Sequence, residues 1–223
     1  MSAVVFFDLD NTLIKGQTQR ILIKYLRRLH KLPFYFYFAV LSWFFLYKLQ
    51  LVRNTVSIRQ RAFKHFSNIQ VAEFDNLVMD FFKKEMQPRM FKGSLRLLKE
   101  HKSRGEEVVL VSASLSNIVD QFKNFLSITY AVSTELETHN RKFTGKIAGR
   151  VAYSENKLEK IKELVAKHDL DLKGSYAYTD HISDLPLLEL VDNPRVVNPD
   201  LKLKNIAKER NWQIYYFNET VER

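Results

Sequence analysis

The sequence predicts an α/β protein: a doubly wound parallel sheet with an inserted, all-helical cap. Three observations predict it. From Phe91 onward, short runs of β-branched and aromatic residues alternate with amphipathic stretches, the pattern of parallel strands joined by covering helices. A first such run, Val4-Val5-Phe6-Phe7, stands apart from the others, separated by residues 15–88, which read as helical and hold one glycine, Gly16. Several runs end on Asp8, Ser112 or Asp180, at the strand carboxyl ends where open α/β sheets bind ligands. The 223 residues then divide into a core, 1–14 and 89–223, and a helical cap, 15–88.

Taken in order, Val4 to Phe7 is a strand buried on both faces, because it is continuously apolar rather than alternating. Ile21, Leu22, Tyr25, Leu26 and Leu29 recur at helical spacing over 17–30, ringed by Arg20, Lys24, Arg27, Arg28 and Lys31. Pro33 breaks that pattern. Residues 34–47 are apolar and aromatic except for Ser42, yet fall short of the roughly 20 residues a spanning helix needs. Basic residues flank them, which suits an interfacial helix on a bilayer, the apolar lid of a soluble enzyme or a partner interface. Asn54 or Thr55 can cap a helix through Ile58, Ala62, Phe63 and Phe66. Another helix runs from Glu73 to Met86 and stops at Gln87-Pro88.

Beyond Phe91 the spacing predicts a helix over 93–103 closed by Arg104-Gly105, a strand over 107–112, and a helix capped by Ser114 or Ser116. A strand over 130–134 follows, then a small antiparallel pair made from 143–147 and 150–153. Ser154 caps a helix over 155–168, and a strand over 176–179 ends at Asp180. A short helix over 185–190, a strand over 195–198, a helix from Asp200 to Glu209 and a strand over 213–217 complete the alternation. The tail from Asn218 is polar.

The chain has no cysteine, which excludes disulfides and thiolate metal sites and fits a reducing, cytoplasmic setting. Its start has neither a basic n-region nor a long apolar run, so no secretory signal is read there. The net charge of +10 is unevenly placed. Lys and Arg outnumber Asp and Glu 19 to 7 over residues 1–104, but trail 16 to 18 over 105–223. Residues 11–72 hold eleven Lys and Arg and no acid, a block that attracts an anion: a phosphorylated substrate, a lipid surface or nucleic acid.

Asp8 and Asp10 lie at i and i+2 beyond the first strand. In extended backbone they would share a direction, close enough to share a cation or a proton. The strand carboxyl ends bring Ser112, Asp180 and Asp184 to the same edge, and Lys157, early in its helix, can reach it. Carboxylates with one hydroxyl and one ammonium suit Mg²⁺ and phosphate. Zinc is disfavoured, because the six His show no ligand spacing.

Asp8-Leu-Asp10-Asn-Thr12, Ser112, Lys157 and Asp180-His-Ile-Ser-Asp184 resemble, in order, the four motifs of the haloacid dehalogenase (HAD) superfamily. The flanks are similar to its phosphoserine-phosphatase-like branch, subfamily IB, whose helical cap follows the first motif. The resemblance implies a HAD-like, Rossmann-type core and a Mg²⁺-dependent phosphatase. It implies Asp8 as the nucleophile forming an aspartyl-phosphate, with Asp10 as acid and then base. It also implies Asp8, the Asp10 carbonyl and Asp180 as metal ligands with Asp184 behind them, Ser112 and Lys157 on the phosphoryl group, and Thr12 steadying the loop.

Departures bear on the substrate. Where phosphoserine phosphatases carry an acid that meets the substrate's amino group, this chain has Gln17. Arg61 falls near their cap arginine, and His181 replaces a usually small residue. A small phosphorylated metabolite is the first reading. A phosphatidylglycerophosphate-type lipid phosphatase, peripheral on an anionic membrane surface, is the second. A non-enzymatic adaptor for membrane or nucleic acid is the third, and nucleic acid is disfavoured because such a protein needs neither the Asp pair nor Lys157.

Overall fold

The computed structural model describes residues 3–31, 42 and 64–221. Among these, seven strands form one sheet in the order β4-β3-β2-β1-β5-β6-β7. Every pairing is parallel except β3 with β4.

Strand β1 (Ala3–Asp8) lies between β2 (Glu107–Leu115) and β5 (Asp171–Thr179). Its side chains alternate between two apolar cores: Val5 and Phe7 pack on one face, Val4 and Phe6 on the other, and all four are fully buried. A continuous apolar run is what a strand covered on both faces requires. Phe7 stacks on Tyr178 of β5 with ring centroids 4.3 Å apart, and each such buried ring contributes about 1.5–3 kcal/mol. Asp8 is therefore the first polar side chain of a strand whose position is already set by packing.

Helix α1 (Thr18–Arg28) buries Leu22, Tyr25 and Leu26. Helix α2 (Val71–Phe81) buries Phe74, Val78 and Phe81, and the chain then winds more widely through a π-helical turn over Phe82–Met86 before a 3₁₀ turn over Gln87–Arg89. The single helix expected to Met86 is thus three windings, the last holding Pro88, which has no N–H to continue a ladder. The expected helix through Ile58 and Phe63, the apolar stretch 34–47 apart from residue 42, and Arg61 lie outside the described residues. No helix among the described residues is long and apolar enough to cross a membrane.

Helices α3 (Lys92–Ser103), α4 (Ser116–Leu126), α5 (Glu155–Lys167), α6 (Leu185–Leu190) and α7 (Leu201–Glu209) alternate with β3 (Tyr130–His139), β4 (Lys142–Ala148), β6 (Asn193–Val197) and β7 (Gln213–Tyr215). Gly105, at φ +75°, closes α3 as expected. Asp200 caps α7, its carboxylate accepting the Leu203 N–H at 2.8 Å. The α4 cap differs: Leu115 holds the position and neither serine caps it with its side chain.

One pairing is corrected. Residues 143–147 pair with a longer β3, not with 150–153. The connecting residues Asn140 and Arg141 have φ of +50° and +61°, the two-residue geometry that matches strand twist in a hairpin.

Candidate active site

The parallel strands deliver their carboxyl ends to one edge. Asp8, the last residue of β1, pairs with Val111 of β2, so Ser112 is one residue beyond that pair. On the other side Phe7 pairs with Tyr178, and Asp180 follows the end of β5. Ser154, at φ +52°, turns the chain into α5. Its carbonyl, not its side chain, accepts the first helical N–H groups, including that of Lys157 at 3.0 Å.

Lys157 joins these elements. Its Nζ donates to Asp8 Oδ1 and to Asp184 Oδ2, both at 2.8 Å, and all three residues are buried. Asp184 also accepts from Thr179 Oγ1 at 2.8 Å. Although it precedes α6, its carboxylate makes no cap bond and is turned to the site instead. Asp180 Oδ2 accepts from Asn11 Nδ2 at 3.0 Å. Asp10 Oδ1 accepts the Thr18 N–H at 2.9 Å and the Thr18 hydroxyl. The Asp pair is thus divided: Asp8 faces Lys157, while Asp10 is anchored to the start of α1.

Ser112 is buried, and its Oγ accepts the Ser114 N–H at 3.1 Å. Thr12 is fully buried with its carbonyl taking the Ser94 hydroxyl at 2.6 Å; its own hydroxyl has no partner among the described residues. Gln17 is exposed at the start of α1. His181 is turned outward, its Nδ1 accepting the Ser183 N–H at 3.1 Å.

The electrostatics follow from burial and crowding. Burial raises the Asp8 pKa well above the usual carboxylate range; Lys157 opposes this, and Asp184, Asp180 and Asp10 push it further up. Asp180 is raised to about 7, first by burial, against the Asn11 hydrogen bond, with Asp184 and Asp10 adding repulsion. Burial lowers the Lys157 pKa, but Asp184 and Asp8 outweigh it and hold the ammonium charged.

Four carboxylates thus crowd around one ammonium, an excess of negative charge that a divalent cation would offset. No three Asp, Glu or His side chains among the described residues already converge as a ligand set, because Lys157, Asn11 and Thr18 each hold one or more of them. The donors are all oxygen, which fits Mg²⁺ in chemistry and excludes a thiolate-bound metal.

Three partners of this site carry no strong signal in the sequence. Asn11 reads as a turn residue, at φ +55°, yet its side chain ties the first loop to Asp180 across 169 residues. Thr18 reads as an ordinary start of a helix, and Thr179 as a strand end. The positions of Thr18 and Thr179, at the ends of elements flanking the motifs, are the only hint.

Comparison with known proteins decides the family. The family model for haloacid dehalogenase-like hydrolase matches residues 5–189. The chain belongs to that family. Among curated relatives, a phosphoserine phosphatase of Mycobacterium tuberculosis is 29% identical over 97% of this chain and 71% of its own length. A histidinol-phosphatase of Neisseria meningitidis is 30% identical over 68% of this chain and 69% of its own. Among solved structures, a Bordetella pertussis protein of unknown function superposes with a TM-score of 0.88 at 21% identity, covering 96% of this chain and 99% of that one. A phospho-aspartyl intermediate analogue of phosphoserine phosphatase superposes at 0.67 and 18% identity, covering 99% and 96%. This HAD hydrolase is a phosphoric monoester hydrolase in type, and its α/β core is the fold those structures share.

Proposed function

We propose that the protein hydrolyses a small phosphorylated metabolite in two steps through an aspartyl-phosphate on Asp8. One Asp8 carboxylate oxygen attacks phosphorus, the bond to the leaving oxygen breaks, and Asp10 gives that oxygen its proton. Water then attacks phosphorus while Asp10 accepts its proton, which frees phosphate and restores Asp8. Ser112 and Lys157 hold the phosphoryl oxygens, Lys157 offsetting their charge. Mg²⁺ held by Asp8, the Asp10 carbonyl and Asp180, with Asp184 behind, would supply further positive charge there. Thr18, through its two bonds to Asp10, keeps that group aimed, and Thr12 keeps the loop in place.

The observation that carries this reading is the pair of hydrogen bonds that Lys157 Nζ donates to Asp8 and Asp184, 149 and 27 residues away. A relative named phosphoserine phosphatase and a structural neighbour described as a phospho-aspartyl intermediate analogue support the same chemistry. Residues 15–88 are read as a cap. In support, the chain leaves the core at Ile14 and returns at Met90, the two residues bridging antiparallel, with the Lys15 N–H donating to the Arg89 carbonyl at 2.8 Å. Turnover of a chromogenic aryl phosphate with Mg²⁺, lost in Asp8→Asn and on chelation, is the expected result. Equal turnover by the variant overturns the mechanism.

Gln17 in place of an acid argues against phosphoserine itself as substrate. The acid-free stretch 11–72 favours one second reading, a lipid phosphate of the phosphatidylglycerophosphate kind, with Arg61 and the basic residues around it on the head group. A panel of phosphorylated amino acids, histidinol phosphate and phosphatidylglycerophosphate separates the two by relative kcat/KM.

A further inference from the structure

Beside α1 and the Lys15–Arg89 connection is a cleft of about 490 Å³, lined by Lys15, Gly16, Ile21, Lys24, Arg27, Arg28, Glu85 and Arg89. That volume lies within the roughly 300–1,000 Å³ usual for small-molecule sites. Five of the eight residues are cationic and one is acidic. None belongs to the Asp8, Lys157, Asp180 and Asp184 cluster.

The local structure explains the crowding. Ile21, Lys24 and Arg28, at i, i+3 and i+7, share one face of α1, and Arg27 flanks it. The π-helical turn over Phe82–Met86 leads into Arg89, and such turns recur at functional sites. Glu85 is already engaged from both sides, by Arg28 and by Arg89 at 3.0 Å. Its charge is shared between two guanidiniums, leaving the cleft strongly positive. The Arg89 Nε–H, meanwhile, is buried with no partner among the described residues, a donor that water does not reach. A concave wall of positive charge, with the Lys15, Lys24 and Arg28 side chains reaching solvent, is the arrangement that receives an anion.

We propose that this cleft is a second anion site, which takes a phosphate-bearing ligand of two or more negative charges. Ile21 and Gly16 supply its uncharged lining, and the Arg and Lys side chains its positive charge. The ligand's source is either a free phosphorylated compound or the head group of a phospholipid, since both offer the same oxygens. The site also touches the reaction loop. Gly16 N–H donates to Asn11 Oδ1 at 3.1 Å, and Asn11 Nδ2 donates to Asp180, so an occupant that shifts Gly16 is two hydrogen bonds from the candidate metal ligand. The inference does not depend on the chemistry proposed for Asp8.

Titration calorimetry with pyrophosphate, in the absence of divalent cations, tests it on the full chain. Lys15→Gln/Lys24→Gln removes two exposed charges while leaving Arg28, Glu85 and Arg89 paired. Binding at least tenfold weaker in that double variant, and retained in Asp8→Asn, is expected. Failure of the wild type to bind, unchanged affinity in the double variant, or loss in Asp8→Asn overturns the proposal, the last by placing pyrophosphate at the Asp8 site. Sedimentation with vesicles containing phosphatidate, whose phosphomonoester head group carries up to two negative charges, then separates the sources. Vesicles that carry down the wild type but not the double variant identify the head group; pyrophosphate binding that vesicles do not displace identifies the free compound. Both results uphold the site. Loss of aryl-phosphate turnover in Asp8→Asn alone tests the other proposal and leaves this one standing.

Discussion

Two charged regions of this molecule are near mirror images in composition and opposites in construction. At the sheet edge one ammonium, Lys157, is held by Asp8 and Asp184 with Asp180 and Asp10 nearby. Beside α1 one carboxylate, Glu85, is held by Arg28 and Arg89 with Lys15, Lys24 and Arg27 nearby. The two central groups are both enclosed, Lys157 at 6% and Glu85 at 12% exposure, but the groups holding them differ: Asp8 and Asp184 are 9% and 5% exposed, whereas Arg28 and Arg89 are 63% and 41% exposed. Depth decides what each arrangement can do. Desolvation makes the first stiff, shifts its proton affinities and suits it to chemistry; solvent keeps the second soft and suits it to exchangeable binding.

The largest effect expected is on turnover. Asp8→Asn keeps the shape of the side chain and an acceptor for Lys157 but removes the nucleophile, and kcat should fall about 10³-fold or more with the circular dichroism spectrum unchanged. Residual turnover within tenfold of wild type would place the nucleophile elsewhere and dissolve the contrast between a chemical and a binding region. Thr18→Val strips one of the two bonds that aim Asp10, so kcat should drop by about tenfold with KM little altered. A matching change in KM would mean that Thr18 serves binding and not the aim of Asp10.

Next in size is stability. Lys157→Met leaves Asp8 and Asp184 buried without their counter-charge, and unfolding in urea should show a loss of about 3–5 kcal/mol. The acid cluster should also answer to pH. Asp180, with its ordinary value near 3.8 and about 7 in the folded protein, binds more protons folded than unfolded between those values. Without metal, stability therefore falls as pH rises through that window and levels off above it. Mg²⁺ binds the ionised form, so it should raise the melting temperature more at pH 8 than at pH 5. A melting temperature that climbs from pH 4 to pH 7 in chelator would contradict the burial of Asp180.

Much of the sheet edge was legible because it is written in local signals. Val4 to Phe7 is apolar throughout, so its strand and the position of Asp8 follow from one run of residues. That Ser112 and Asp180 share an edge with Asp8 then follows from the rule that parallel strands present their carboxyl ends together, while Lys157 reaches that edge from the start of α5. Asn11, Thr18 and Thr179 were not legible as site residues. Their roles are hydrogen bonds to groups brought near by folding, and polar residues at element ends look alike whatever they bond. The antiparallel pair was misread because Asn140-Arg141 lacks the glycine that usually marks a two-residue hairpin turn. The basic cleft was visible only as charge: the sequence shows eleven cations without an acid over 11–72, while Glu85 and Arg89, which close the cleft, lie beyond that block.

The smallest effect expected is the one that most sharpens the contrast. Glu85→Gln removes the one counter-charge of the basic cleft among the described residues, the formal counterpart of Lys157→Met. The two guanidiniums it releases already reach solvent, so water replaces most of what they lose, and urea unfolding should shift by only about 0–1 kcal/mol. Because the described lining of the cleft then has five cations and no acid, pyrophosphate should bind more tightly to the variant, by severalfold at low salt and less at higher ionic strength. A loss as large as that of Lys157→Met would show that Glu85 is a buried structural pin and that the cleft is a closed ion-pair network. A small loss with tighter binding would show that the two regions differ by burial and not by kind: the same one-against-many arrangement of charge, locked where solvent is excluded and open to an outside anion where it is not.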